Sequence, residues 1–418
     1  MMVAEAVDQT HTNDRQPRLP TTWQGARLGD VGKIGSGITL GRKLQNVKTT
    51  PVPYLRVANV KDGHLDLSDV YEIDATEADI AKCRLQYGDL LLTEGGDPDK
   101  LGRGSFWEDQ LPLCLHQNHI FRVRFNLQEF SPQFLAAEIG SPYGKAYFLA
   151  HAKQTTGIAT INQQVLAAFP LMFPPLPEQK RIAALLTEQM AAVEQARAAA
   201  KAQLAAAQAL PAAYLRAIYD SVEARRWLQR RLGDVLTLRK EVVHPHDNPH
   251  GPATFVGLEH IESGTGRRIG SIAVEMSELT GRKPQFRAGD VVYGYLRPYL
   301  NKVWVADFDG LCSVDQYVYS INTAHADTNF IAWFMRSPLY LERAPIDTMP
   351  GQLPRIRTEE VASVEVNLPP LAEQRRVVAL ITEKTTAARQ AREALEAQLT
   401  AINDLPAALL RQAFRGEL

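Results

Sequence analysis

The sequence predicts an α+β protein: two similar α/β domains, separated and followed by long helices that pair as an antiparallel coiled coil. Three observations predict it. The stretch Pro174-Pro175-Leu176-Pro177-Glu178-Gln179-Lys180-Arg181-Ile182 returns as Pro369-Pro370-Leu371-Ala372-Glu373-Gln374-Arg375-Arg376-Val377. Each copy opens an alanine-rich segment, and Glu178 to Glu373 is 195 residues, as is Pro211 to Pro406. The segments before the two copies also match, so an internal duplication accounts for the whole arrangement.

Each copy reads as a helix. Pro175 and Pro370 hold the residue before them extended, and Pro177 suits a first helical turn, where its missing N–H is no loss. Glu178 and Glu373 place negative charge at the positive end of the helix dipole. Pro211 and Pro406 are expected to break or kink the helices after about 34 residues, roughly 50 Å. Leu186, Val193, Ala200, Ala207 and Tyr214 fall on one heptad position, with Ile182, Ala196 and Leu210 on its partner. In the second helix Ile381, Ala388, Leu395, Ile402 and Leu409 match Val377, Ala391 and Leu405, while Gln189, Gln203, Lys384 and Gln398 interrupt the partner position. This pattern predicts a seam in which two backbones approach closely.

The domains before each helix align in short blocks. Trp23 with Leu28-Gly29-Asp30-Val31 answers Trp227 with Leu232-Gly233-Asp234-Val235, and Gly88-Asp89-Leu90-Leu91-Leu92 answers Gly289-Asp290-Val291-Val292-Tyr293. Cys114 answers Cys312, and Phe134-Leu135-Ala136 with Ser141-Pro142 answers Phe330-Ile331-Ala332 with Ser337-Pro338. Runs such as Ile120–Phe125 and Tyr317–Ile321 alternate as half-buried strands do, and short helices are expected at Phe134–Ile139 and Phe330–Met335, each ended by Ser-Pro. The predicted organisation is a disordered tail at 1–19, domains at 20–173 and 225–368, and helical regions at 174–224 and 369–418.

Composition narrows the function classes. No apolar run reaches membrane-spanning length, and the polar start lacks a secretory signal pattern. Cys83, Cys114 and Cys312 are too scattered for a disulfide framework, so a reducing, cytoplasmic setting is expected. A net charge of −1 argues mildly against nucleic acid, although phosphate binding needs only a local basic face.

Catalytic patterns are absent from the sequence. There is no Gly-x-x-x-x-Gly-Lys-Ser/Thr nucleotide loop. Asn367-Leu368-Pro369-Pro370 lacks the aromatic of an amino-methyltransferase motif and reads as a helix lead-in, and Pro98-Asp99 has no Glu-x-Lys near enough for a nuclease metal site. His244, His246 and His250 lie among prolines with no cysteine partner, which points to an exposed loop rather than zinc. His116 and His119 read as satisfied polar residues or as surface contacts, and the matched Cys114 and Cys312 as small buried hydrophobes.

The duplicated architecture resembles the specificity subunit of type I restriction–modification systems. Carrying the resemblance are Leu28-Gly29-Asp30-Val31 and its repeat, the Pro-Pro-Leu-x-Glu-Gln-x-Arg helix starts, Arg297-Pro298-Tyr299-Leu300 followed by Phe308-Asp309-Gly310, and Phe414-Arg415-Gly416-Glu417-Leu418. It implies two target-recognition domains, one per half of a split double-stranded DNA target, with the helices acting as ruler and as dock for two methyltransferase subunits. Two restriction–translocase subunits join through these, so S-adenosylmethionine, ATP and Mg²⁺ belong to partners and this chain is non-catalytic. Half-sites one turn apart are ~34–36 Å apart, within reach of such helices. Divergence between the repeats predicts two different half-sites. The competing reading is a coiled-coil scaffold that binds only protein.

Three loops rank as DNA-binding candidates. In the first, Lys33, Ser36, Gly37, Thr39, Arg42 and Lys43 combine glycine-allowed backbone approach with positive charge; an ordinary glycine-rich hairpin is the alternative. The second, Lys153, Gln154, Thr156 and Gly157 with Thr160 and Asn162, precedes the first long helix, as Gln352 and Arg355 precede the second; a plain linker is the alternative. The third holds Arg297, Tyr299 and Lys302, with Lys100 and Arg103 in the more acidic counterpart loop. Ile182, Leu186, Val193, Leu210, Val377, Ile381, Leu395 and Ile402 are the candidates for subunit docking and the helix seam.

Overall fold

The structure is a computed structural model that describes residues 22–42, 47–97, 101–155, 157–270, 273–347 and 353–418. Lys43, Lys100, Thr156 and Gln352, together with the expected tail, lie outside the described residues. The chain is mixed helix and sheet and divides into two compact units. One takes in residues up to Ala199 together with Leu399–Leu418; the other is Ala200–Gln398. The division falls inside both long helices, Leu176–Tyr219 and Leu371–Ala413.

The first unit is closed at its base by Gln24–Arg27 running antiparallel to Pro170–Phe173. This pairing brings the end of the domain to its beginning, and the long helix follows after Pro174 and Pro175. Above it an antiparallel sheet orders Gly32–Ser36, Ile120–Phe125, Leu90–Thr93 and Gly104–Phe106. A second sheet pairs Thr50–Leu55 antiparallel with Tyr71–Ala75 and parallel with Leu115–His116. Ile120–Phe125 is almost wholly buried, because it is a central strand covered on both faces rather than the half-buried strand its alternation suggests.

The second unit repeats the closing strand pair and the four-stranded antiparallel sheet. Leu228–Arg231 pairs antiparallel with Glu365–Leu368, and the main sheet orders Leu236–Leu238, Gln316–Ile321, Val291–Gly294 and Val303–Val305. Its other sheet contains the parallel pair Phe255↔Leu311, as Tyr54↔Leu115 is parallel in the first unit. The matched Leu-Gly-Asp blocks form single helical turns in which Leu28 and Leu232 are fully buried. A Cβ on Gly29 would lie 2.8 Å from Ala167 Cβ, and one on Gly233 would lie 3.0 Å from Ala362 Cβ, so close packing explains the glycine in both.

The first helix of each pair ends at Ile139 or Met335, before the Ser-Pro as expected, and the Ser-Pro then starts a second helix. Pro132–Ile139 is followed by Pro142–His151, and Thr328–Met335 by Pro338–Arg343. Ser141 and Ser337 accept the N–H of Gly144 and Tyr340, with proline at the first helical position.

The long helices also differ from expectation in two ways. They run through Pro211 and Pro406 to lengths of 44 and 43 residues. An interior proline forfeits a backbone hydrogen bond and costs about 3 kcal/mol. Burial beyond it offsets that: Leu215 and Tyr219 enter the core of the second unit, where Tyr219 Oη donates to Phe330 O at 2.7 Å. Ala413 enters the core of the first, with Leu409, Leu410 and Phe414 packed against it.

The second difference is one residue of register. Leu186, Val193, Ala200 and Ala207 are buried as predicted, but the other half of the stripe is Ala183, Met190, Arg197 and Leu204, while Ala196 is exposed. In the second helix Ile381, Ala388 and Ile402 are buried and Leu395 half-buried, joined by Val378, Thr385, Arg392 and Leu399, with Ala391 and Leu405 exposed. Leu210 is half-buried, and Ile182 and Val377 are buried where the helices meet their own domains. Arginine stems can line an apolar seam while the guanidinium reaches water, so the polar letters at Arg197 and Arg392 disguise it.

Candidate nucleic-acid interface

The helix starts are fixed to the domains by a side chain that charge arguments pass over. Gln179 is buried; its Oε1 accepts the Ser131 N–H at 2.9 Å, and its Nε2 donates to Glu129 O (3.1 Å) and Pro174 O (2.9 Å). Gln374 repeats this with the Asp327 N–H (2.7 Å), His325 O (3.1 Å) and Pro369 O (2.8 Å). Ser131 and Asp327 are the N-caps of the helices that begin at Pro132 and Thr328. Each glutamine thus joins a long helix to a cap in its own unit. The repeat of Glu-Gln in both copies was the available signal.

A second matched device holds the central sheets. Asp89 and Asp290 are buried; Arg124 clamps the first through Nε and Nη2, both at 2.6 Å, and Arg239 clamps the second at 2.5 and 2.9 Å. In each case two charge-assisted hydrogen bonds from the guanidinium satisfy the buried carboxylate. Arg124 stands on the strand Ile120–Phe125, whereas Arg239 follows Leu236–Leu238, so the same aspartate is satisfied from different strands in the two units.

The ranked loops meet within each unit. In the first, Thr160 and Ala159 pair antiparallel with Gly95 and Gly96, the Ile161 N–H donates to Glu94 O (2.9 Å), and Lys153–Thr155 adds the third strand. The Glu94 N–H donates to His119 O (3.0 Å), and the Asn118 N–H donates to Ile38 O (3.0 Å), which brings the glycine-bearing first loop to the same turn. A groove here is lined by Val57, Glu94, Gly95, Asp97, His119 and Ile158, among others. Lys153, Gln154 and Gly157 are exposed on the hairpin, and Arg103 is half-buried. In the second unit Leu296 pairs with Arg355, the Arg297 N–H donates to Pro354 O (2.7 Å), and the Ile356 N–H donates to Tyr295 O (3.3 Å). Arg297 is exposed with left-handed backbone (φ 53°), a conformation that is uncommon outside glycine and concentrates at functional sites. Tyr299 beside it is 56% exposed.

Several candidates have structural work to do. Arg42 grips Asp79 at 2.8 and 3.0 Å, which holds that carboxyl well below the usual carboxylate range. Lys302 Nζ donates to Leu258 O (2.6 Å) and Ile261 O (2.9 Å). A Cβ on Gly37 would sit 1.9 Å from His116 O, so that glycine serves strand packing. Lys33, Ser36 and Thr39 are exposed, and Lys33, Lys153 and Arg297 form no ion pair among the described residues. His116 is buried, and desolvation lowers its pKa to about 4; His119 is exposed in the groove. The three cysteines are free and buried, and burial pushes the Cys114 and Cys312 thiols up to about 12, which suits packing and not nucleophilic chemistry. Among the described residues no cluster of three or more His, Cys, Asp or Glu could hold a metal ion, and no helix is long and apolar enough to cross a membrane.

Fold and site together define a two-unit α+β protein that presents paired loops from rigid sheets. Residues 20–201 match the family model of the type I restriction modification DNA specificity domain. The chain is 31% identical over 192 residues to the type I restriction enzyme EcoDI specificity subunit of Escherichia coli, covering 46% of this chain and 42% of that protein. It is 28% identical over 172 residues to a putative type I restriction enzyme MjaX specificity subunit of Methanocaldococcus jannaschii, covering 41% and 40%. The match therefore spans about two-fifths of these relatives' length. The fold is similar to that of a chain from a structure of type I R-M complex assembly and conformational transition, with TM-score 0.74 and 20% identity over 96% of this chain and 100% of that one. It is also similar to the HsdS subunit of Thermoanaerobacter tengcongensis, with TM-score 0.64 and 19% identity over 96% and 98%. The resemblance to type I specificity subunits read from the sequence is borne out.

Proposed function

We propose that this chain is the DNA sequence-recognition subunit of a type I restriction–modification complex and is itself non-catalytic. The observation that carries the reading is that a DNA specificity domain covers residues 20–201, where the hairpin at 153–160 and the Glu94 loop converge, and that the second unit places its counterpart loops in the same pairing. In this reading each unit binds one half of a bipartite double-stranded target. The halves differ because the loops differ: Glu94, Gly95 and Gly96 in one unit stand where Tyr295, Leu296 and Arg297 stand in the other.

The chain is the product of an internal duplication, and its two long helices form an antiparallel coiled coil. Supporting this, Arg181 and Arg197 donate to Leu418 O and Asn403 Oδ1 in the first unit, and Leu215 and Tyr219 share a core with Val377 and Ile381 in the second. Exposed faces of the helical regions 174–224 and 369–418 dock two methyltransferase subunits, and two restriction–translocase subunits join through them. S-adenosylmethionine, ATP and Mg²⁺ belong to those partners, and the assembly is cytoplasmic. The test is to replace residues 20–157 with the equivalent segment of a relative and to measure the DNA sequences the assembled complex selects. The reading expects one half of the target to change and the other half and spacing to persist. A complex that forms but selects no sequence would leave only the scaffold reading.

A further inference from the structure

Glu94 in the first unit and Tyr295 in the second occupy corresponding positions with different chemistry, and backbone pairing fixes the correspondence. The Glu94 N–H donates to His119 O as the Tyr295 N–H donates to Asp315 O (3.1 Å); Ile161 and Ile356 donate to Glu94 O and Tyr295 O. Where the second unit has Tyr295 stacked on Tyr317 at 4.2 Å, the first has a carboxylate on an imidazole, His119 Nδ1 to Glu94 Oε2 at 2.6 Å. With Nδ1 donating to Glu94, His119 Nε2 accepts from the Asn118 amide at 3.4 Å. The chain of bonds orients the carboxylate and leaves Glu94 Oε1 without a hydrogen bond among the described residues. Gly95 and Gly96 leave the strand beside it without side chains, and Ile158 is 53% exposed in the same groove.

A carboxylate on a DNA-facing surface is repelled by phosphate unless it meets a donor. The donors on base edges in the major groove are the exocyclic amino groups of cytosine and adenine. We propose that Glu94, positioned by His119, reads the half-site bound by the first unit by accepting a hydrogen bond from one such amino group. The inference rests on the DNA-recognition reading above. The side chains of Asn118 and His119 set the acceptor's direction, while the exposed Ile158 offers an apolar contact to the base or to a neighbouring thymine methyl group.

The experiment uses the full chain assembled with its methyltransferase subunits. Selection from randomised duplexes first gives the target. Each cytosine and adenine of the target is then replaced by the analogue lacking its amino group, and binding is measured for the natural chain, Glu94→Ala and Glu94→Gln. Loss of one amino group is expected to weaken the natural complex on the order of tenfold or more. Glu94→Ala should bind the natural and amino-deleted duplexes alike at that position only, and Glu94→Gln, which keeps a carbonyl acceptor, should retain part of the discrimination. Whether the sensitive base is cytosine or adenine follows from which analogue has the effect. If no amino deletion separates the natural chain from Glu94→Ala, or if the variant weakens all sequences equally, the proposal is overturned. If the natural complex selects no sequence at all, the recognition reading itself fails first.

Discussion

Replacing Gln179 by alanine tests whether the glutamine at each helix start is a structural latch. The side chain satisfies three backbone groups, the Ser131 N–H and the carbonyls of Glu129 and Pro174, and it is 1% exposed. A buried group left without a partner loses about 1–3 kcal/mol. The Glu129 segment lies at the surface, where water can reach part of the gap, so the total comes to about 3–5 kcal/mol for the first unit. That is a large part of a typical domain's stability. Because the chain has two units, the assay is hydrogen exchange during urea unfolding, followed separately over 130–139 and 176–186. Exchange should quicken at Ser131 and through the first turns of both helices, with the unfolding midpoint of this unit lowered. Gln374→Ala should do the same at Asp327 in the other unit, and the double variant should show both losses independently. Unchanged exchange at Ser131 and an unfolding free energy within about 0.5 kcal/mol of the natural chain would refute the latch.

Further outcomes follow from single contacts. Glu138 is buried with its pKa raised to about 8, and its Oε1 accepts the Met172 N–H at 2.7 Å. Its folded pKa lies above the unfolded value near 4.5, so its contribution is fully present below about pH 4.5 and is lost as pH rises through about 8. Glu138→Gln should flatten that part of the stability–pH profile and be the more stable protein at pH 8, as thermal melts will show. Lys153→Ala and Lys33→Ala should each reduce the slope of log binding constant against log salt by about 1 if they neutralise a phosphate, whereas Arg42→Ala should leave the slope unchanged because Asp79 already holds that guanidinium. Gly37→Ala should lower the melting temperature sharply, since the added methyl meets His116 O; normal stability with weakened DNA binding would instead favour a phosphate role for the loop.

The repeat made the architecture legible. Equal offsets between the two Glu-Gln helix starts located both long helices before any coordinates. Register was harder. In helices this rich in alanine, neighbouring positions look alike, and the second line of buried positions includes Arg197, Thr385 and Arg392, which a count of apolar letters rejects. Pro211 and Pro406 do not break the long helices, because Leu215, Tyr219 and Ala413 are held by tertiary burial that no local pattern announces. At the candidate interface the sequence ranked loops but could not pair them: the meeting of Gly95 with Thr160, and of Leu296 with Arg355, depends on long-range strand register. Nor could it show that Arg42 and Lys302 are engaged within the fold, or that Glu94 and His119 meet, since those contacts join residues far apart in the chain.

The central claim is that this chain chooses a DNA sequence for partners that act on it. The most direct measurement is genome-wide mapping of modified bases by single-molecule sequencing, in a host expressing this chain with its cognate methyltransferase subunit. The account predicts modification at one bipartite target, two different short half-sites at a fixed spacing, that disappears when this chain is left out. Modification that is unchanged without the chain, or absent although the complex forms, would contradict it.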